Sequence, residues 1–153
     1  MAHQLSKVTK LIAAIKPTTV ATSGTQSSTG IDMAGFLSVR AITFMGQTSG
    51  DGVATLSILG SSASTGTFAT LVGTTSASVS STTGQMDGLL AVDVTRVIGG
   101  NNSDRYIRVD YVSATTLTEH GGVIVELYNP VSLPTTDGST SMLQAQKVVV
   151  EAT

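Results

Sequence analysis

The chain has 153 residues, enough for one domain that buries roughly two-thirds of its unfolded surface. It contains no cysteine, which excludes disulfides, cysteine-based zinc sites and thiol nucleophiles. A formal charge of −2, with only 12% of residues charged, argues against a nucleic-acid binder, which would present a basic face.

In residues 1–16, Leu5, Val8, Leu11, Ile12 and Ile15 recur at spacings of three and four. This spacing predicts one apolar face of a helix of about three turns. Pro17 ends it, because a proline biases the residue before it away from helical geometry. So short a helix is marginal alone in water. Its apolar face is therefore expected to dock, on the chain's own sheets or on a neighbouring subunit. Lys7, Lys10 and Lys16 interrupt the apolar stretch, so it does not read as a secretory signal. No run approaches the ~20 apolar residues of a membrane span, and the expectation is a protein made in the cytoplasm without membrane insertion.

Residues 18–30 are rich in Ser, Thr and Gly and read either as an edge strand around Val20 or as a linker. From Ile31 the period becomes two. Leu37, Val39, Ala41 and Met45 share one side, and Phe36, Ile42 and Phe44 the other, with Ser38 and Arg40 marking where that side meets water. Further strands are predicted at 53–59, 67–72, 89–94, 106–112 and 122–128. Clusters at 49–52, 60–66, 84–88 and 99–102 supply the Gly and Asn that tight reversals need. The Ser/Thr-rich stretches 60–66 and 73–84 read as surface loops. The predicted fold class is all-β, an antiparallel β-sandwich of jelly-roll or Greek-key type.

After Pro130 the pattern breaks, and 131–141 reads as an extended linker. Residues 142–150, with Leu143, Val148, Val149 and Val150, form a credible eighth strand. The chain thus divides into an N-terminal arm (1–16), a β-sandwich (17–130) and a C-terminal arm (131–153). The apolar residues of the two arms, Leu5, Val8, Leu11, Ile12, Ile15, Leu143, Val148, Val149 and Val150, are the candidate protein interface.

Groups that could do chemistry are few. The histidines are His3 and His120, and no Gly-x-Ser-x-Gly elbow accompanies the many serines. The 101–104 turn lacks the spaced carboxylates and closing Glu of an EF-hand calcium loop. Asp93 and Asp110, with Arg96 and Arg108, are expected to form cross-strand ion pairs rather than a glycosidase site. No Gly-rich turn leads into Lys-Ser/Thr and a helix. No enzyme activity, metal or cofactor is expected.

One resemblance bears on function. Gly30-Ile31-Asp32-Met33-Ala34-Gly35-Phe36 leads into a long alternating strand, and Gly50-Asp51-Gly52 follows. Later come Leu-x-Val-Asp-Val at 90–94, Arg-Tyr-Ile-Arg at 105–108 and Gly-Val-Ile-Val-x-Leu-Tyr at 122–128. Over about residues 5–130 this succession resembles small structural proteins of tailed phages, the head decoration (cement) proteins. The resemblance implies a structural virion protein on the outer capsid surface, binding between subunits of the major capsid protein, as a homotrimer. Extended arms would add affinity through strand addition, multiplied within a trimer by effective concentration. The C-terminal arm has no counterpart in that pattern. Two other readings suit the same composition: a carbohydrate- or receptor-binding module, with Phe68 and Tyr128 as its aromatic candidates, and a tail or head–tail connector component.

Overall fold

The computed structural model describes residues 9–19, 24–45, 52–71, 76–81, 88–95, 97, 104–114 and 119–131. Alternating apolar residues with abundant Val, Ile and Thr favour extended backbone here, because β-branched side chains suit a pleated surface. The strands are β1 (Lys10–Ile15), β2 (Thr18–Thr19), β3 (Gly24–Ser27), β4 (Ile31–Asp32), β5 (Phe36–Met45), β6 (Gly52–Ser61), β7 (Ala69–Thr70), β8 (Ser76–Ser81), β9 (Gly88–Val94), β10 (Tyr106–Ala114) and β11 (Glu119–Pro130). No described residue is helical. The fold is all-β and its strand pairs are antiparallel.

Two sheets form. The first runs β1-β11-β5-β9, with β2 also on β11; the second runs β3-β10-β6-β7, with β4 also on β10 and β8 also on β6. Each long strand turns one set of alternate residues inward. Val39 and Ala41 of β5, Val125 and Leu127 of β11, and Val92 of β9 come from the first sheet. Leu56 and Ile58 of β6 and Val109 and Tyr111 of β10 come from the second, and all join one hydrophobic cluster. The two sheets therefore share a single core.

The helix predicted for residues 1–16 is corrected where it is described: Lys10–Ile15 is a strand paired with β11. The reason is a bulge. The register shifts between Ala13 and Ile15, so one extra residue enters β1. Ile12 is buried, and Ala14 and Ile15 pack on the core from beyond the shift. A spacing of three, helical in sequence, is here a strand with a bulge in it. Leu11, expected on the same apolar face, points the other way and is exposed. Leu5 and Val8 lie outside the described residues, as do Leu143, Val148, Val149 and Val150.

Two further expectations change. Ser76–Ser81, within a stretch read as a loop, is β8 and pairs with β6 from Gly52↔Ser81 to Ser57↔Ser76. A run of Ser and Ala carries no apolar contrast from which a period could be read. Ser38, expected at the water boundary, is fully buried, and its hydroxyl accepts a hydrogen bond from Asn129 Nδ2 at 2.8 Å. Among the described residues of the strand predicted at 67–72, Ala69–Thr70 is the extended and paired part.

Candidate interaction face

The outer face of the first sheet follows from the register of its strands. Ala13, Ile124, Ile42 and Ala91 stand side by side across β1, β11, β5 and β9. One row further along, Phe44 of β5 lies beside Leu89 of β9. On the other side of the Ile124 row come Leu11, Glu126, Arg40 and Asp93. Phe44 and Leu89 are each 60% exposed, Ile124 44% and Leu11 41%. Isolated apolar residues on a surface are ordinary, but a contiguous group of them marks an interaction site.

Phe44 is uncovered for a local reason. Thr43 pairs with Val123 and Met45 with His120, so the strand beside Phe44 is the bulge holding Gly121 and Gly122. Glycine offers no side chain to lie against the ring. The same bulge is anchored from within, where Thr43 Oγ1 donates to the Gly122 carbonyl at 2.8 Å in a buried bond.

The polar row is self-contained. Arg40 donates from Nε (3.0 Å) and Nη2 (2.8 Å) to Asp93 Oδ2, and its Nη1 lies 3.7 Å from Glu126 Oε2. The Tyr128 hydroxyl donates to the other Asp93 oxygen, and the Arg40 guanidinium sits 5.6 Å from the Tyr128 ring centroid. Such half-exposed pairs contribute little to stability, about 0–1 kcal/mol each, but they fix the side chains that border the apolar rows. Partial burial, and then the Asp93 carboxylate beside it, push the Tyr128 hydroxyl up to about 12.

The sign of that shift gives a testable result. The folded state holds the Tyr128 proton more tightly than the unfolded chain does. The stabilisation is full below pH ~10, the ordinary tyrosine value, and is lost as pH rises toward about 12. Wild-type protein should lose unfolding free energy across that window, and Tyr128→Phe should remove this part of the slope. Equal slopes in denaturant titrations of the two proteins would refute it.

The second sheet is different outside. Thr25, Val112, Thr55 and Ser78 form one outward row, and Ser27, Asp110, Ser57 and Ser76 the next. Thr55 and Ser78 share a hydrogen bond of 2.8 Å between their hydroxyls. Asp110 receives Arg108 Nε and Nη2, both at 2.8 Å. The outer face of the second sheet is thus richer in hydroxyls, though Val53, 41% exposed, and Leu59 also lie on it, while the first sheet carries the larger exposed apolar group.

The residues singled out in the sequence fall as follows. Asp93 pairs across strands, but with Arg40, whereas Asp110 pairs with Arg108 two residues back on its own strand. Asp32 pairs with Arg105, whose Nη2 is 2.7 Å from Asp32 Oδ2. Arg96, His3 and residues 101–103 lie outside the described residues. Among the described residues, no group of three His, Cys, Asp or Glu could hold a metal ion. Phe68 is half-buried under the Arg108 guanidinium, 5.1 Å from its ring centroid, and Tyr128 is held by Asp93. Of the expected interface residues, Ile12 is in the core, Ile15 is half-buried against it, and Leu11 borders the exposed face. Phe44, Leu89 and Ile124 were missed as a group. Alternation puts Phe44 and Ile42 on one side of their strand, but only the cross-strand register brings Leu89 and Ile124 beside them.

No protein-family model and no curated protein matches the chain. Among solved structures, the crystal structure of PBSX exported protein XepA is similar, with a TM-score of 0.53 and 20% sequence identity. The match covers 94% of this chain and 44% of that one, so the chain spans less than half the length of that protein. At this identity the likeness is one of fold.

Proposed function

We propose that this protein is a structural virion component that decorates and stabilises a phage head, binding between major capsid subunits as a homotrimer. The observation that carries the reading is the pairing of a sheet face bearing Phe44, Leu89 and Ile124 with a face richer in hydroxyls on the opposite sheet. A decoration protein needs one surface to dock and one to meet water, on a scaffold that does not deform. The strand orders β1-β11-β5-β9 and β3-β10-β6, with β7 and β8 both on β6, are compatible with a jelly-roll sandwich, an architecture common in viral capsids. The motif succession from Gly30 to Tyr128 supports the phage assignment, and the fold shared with an exported protein of phage PBSX is compatible with it.

On this reading the face of Phe44, Leu89 and Ile124 turns toward the capsid shell. The double variant Phe44→Asp, Leu89→Asp changes only exposed positions, so the folded protein should remain. Its affinity for purified heads lacking the protein should fall at least ~10-fold, which is ~1.4 kcal/mol. Undiminished binding would remove the face from the proposal. Cryo-electron microscopy of the native particle that placed the chain in the tail or connector would overturn the head assignment itself.

A further inference from the structure

We infer that β9 is a self-association edge: the Gly88–Val94 strands of two copies pair antiparallel across a twofold axis, continuing the first sheet from one molecule into the next. The contact uses the edge of that sheet and not its outer face, so it does not depend on the docking proposed for Phe44 and Ile124.

A sheet edge presents a row of backbone N–H and C=O groups, and proteins blunt it with short strands, lysine, proline or a bulge. Among the described strands, the other edges carry such devices or lack large apolar side chains. β1 holds Lys10 and a bulge between Ala13 and Ile15, and Lys16-Pro17 follows it. β2, β4 and β7 have two residues each and β3 has four. β8 is serine and alanine around a single valine. β9 differs from all of these. It is seven residues long, contains neither proline nor a basic residue, and pairs with β5 in unbroken register from Val39↔Val94 to Met45↔Gly88. Its one charge, Asp93, is held within the molecule by Arg40 on one oxygen and by Tyr128 on the other. Among the described residues β9 pairs with β5 alone, which leaves its other edge to a strand from outside the molecule.

The strand suits a second copy of itself. An antiparallel twofold through Ala91 keeps inward residues beside inward residues. Leu90 then meets the second copy's Val92, and both are already buried against their own cores. Ala91 meets Ala91, so a small side chain stands at the axis. The two Asp93 carboxylates stay four residues apart along the strands, ~13 Å, beyond the screening length at physiological salt. All seven residues find a counterpart, and one contact covers two bare edges.

Area sets the strength. The edge is ~23 Å long and, with β8 of the second sheet lying against β9, ~20 Å deep, which gives ~450 Å² per copy. The total of ~900 Å² belongs to weak, reversible interfaces. Copies held close together on a shell would need no more, and a twofold contact there would tie neighbouring trimers to one another.

Sedimentation velocity of the purified full-length protein, without heads, tests the inference. Wild type should show a reversible rise in mean mass between ~1 and ~200 µM. Ala91 is exposed, so Ala91→Lys and Ala91→Asp should each keep the wild-type urea midpoint. Like charges opposed at the axis should weaken self-association at least ~5-fold in each variant. Mixing the two should restore it, because Lys then faces Asp, and Val53→Lys on the other sheet should associate as wild type does. No rise in mass for wild type, undiminished association of the Ala91 variants, equal weakening by Val53→Lys, or no recovery on mixing would overturn the inference. Head binding plays no part in these measurements, so their failure is distinct from failure of the capsid reading.

Discussion

Gly122→Ala should lower the unfolding free energy by about 3 kcal/mol or more. Gly122 has φ +83°, a left-handed value that costs an L side chain about 1–2 kcal/mol. A Cβ there would also meet the Ile15 carbonyl oxygen at 2.6 Å and the Pro17 nitrogen at 2.9 Å. Both are backbone atoms of the passage from β1 to β2, so neither can swing aside as a side-chain tip would. Relief requires moving β1 away from β11, or breaking the buried bond from Thr43 to the Gly122 carbonyl. Gly24→Ala is the matched control: it has no positive φ and nothing within 4 Å of the new methyl. Urea titration should show the Gly122 variant with a lower midpoint and the Gly24 variant within ~0.5 kcal/mol of wild type. In a domain of this size the Gly122 loss corresponds to roughly 6–12 °C in Tm. Similar stabilities for the two variants would mean that the bulge is not held as described.

Leu56→Ala should cost about 3–4 kcal/mol, while Leu89→Ala should cost less than ~1 kcal/mol. The two changes delete the same atoms. Leu56 is fully buried on β6, paired with Tyr111 on one side and Ala77 on the other, so its removal leaves a cavity among three strands. Leu89 is 60% exposed and has little contact to lose. The pair separates core from exposed face by stability, whereas the Phe44 and Leu89 aspartates test the proposed docking by binding. If Leu89→Ala destabilised as much as Leu56→Ala, the outer face of the first sheet would be part of the fold's own packing and not free for a partner.

How much of this was legible in the sequence depended on contrast. Where apolar and polar residues alternate strongly, as in Gly-Leu-Leu-Ala-Val-Asp-Val or Tyr-Ile-Arg-Val-Asp-Tyr-Val, period two gave strands close to those observed. Where the contrast is absent, it failed. β8 is Ser-Ala-Ser-Val-Ser-Ser, and its pairing with β6 is decided by backbone hydrogen bonds that small polar side chains leave undisturbed. β1 misled in the opposite way, since its apolar spacing fits a helical face and the bulge that accounts for it is a property of the pairing with β11. Ser38 shows a third limit, because its burial is made acceptable by Asn129, far along the chain. The candidate face was half legible. Phe44 and Ile42 were placed together by alternation, but bringing Ile124 and Leu89 to them required two strand registers that no local pattern encodes.

The order of strands also governs when the molecule can exist. β10 and β11 are the last of the described strands in sequence, yet each lies inside its sheet: β11 between β1 and β5, β10 between β3 and β6. On the ribosome, β5 can find β9, and β6 can find β7 and β8, while the other edge of each waits for a strand not yet made. At ~5–20 residues per second, that wait lasts seconds, and a topology so dominated by distant pairings then closes in milliseconds to seconds. Nascent chains must therefore survive with bare strand edges, several at a time on a polysome. Sparse aromatics and abundant hydroxyls, 4% of the former in the whole chain, reduce the stickiness of those edges. The hydroxyl-rich composition is in this sense an adaptation of the unfinished chain as much as of the finished surface.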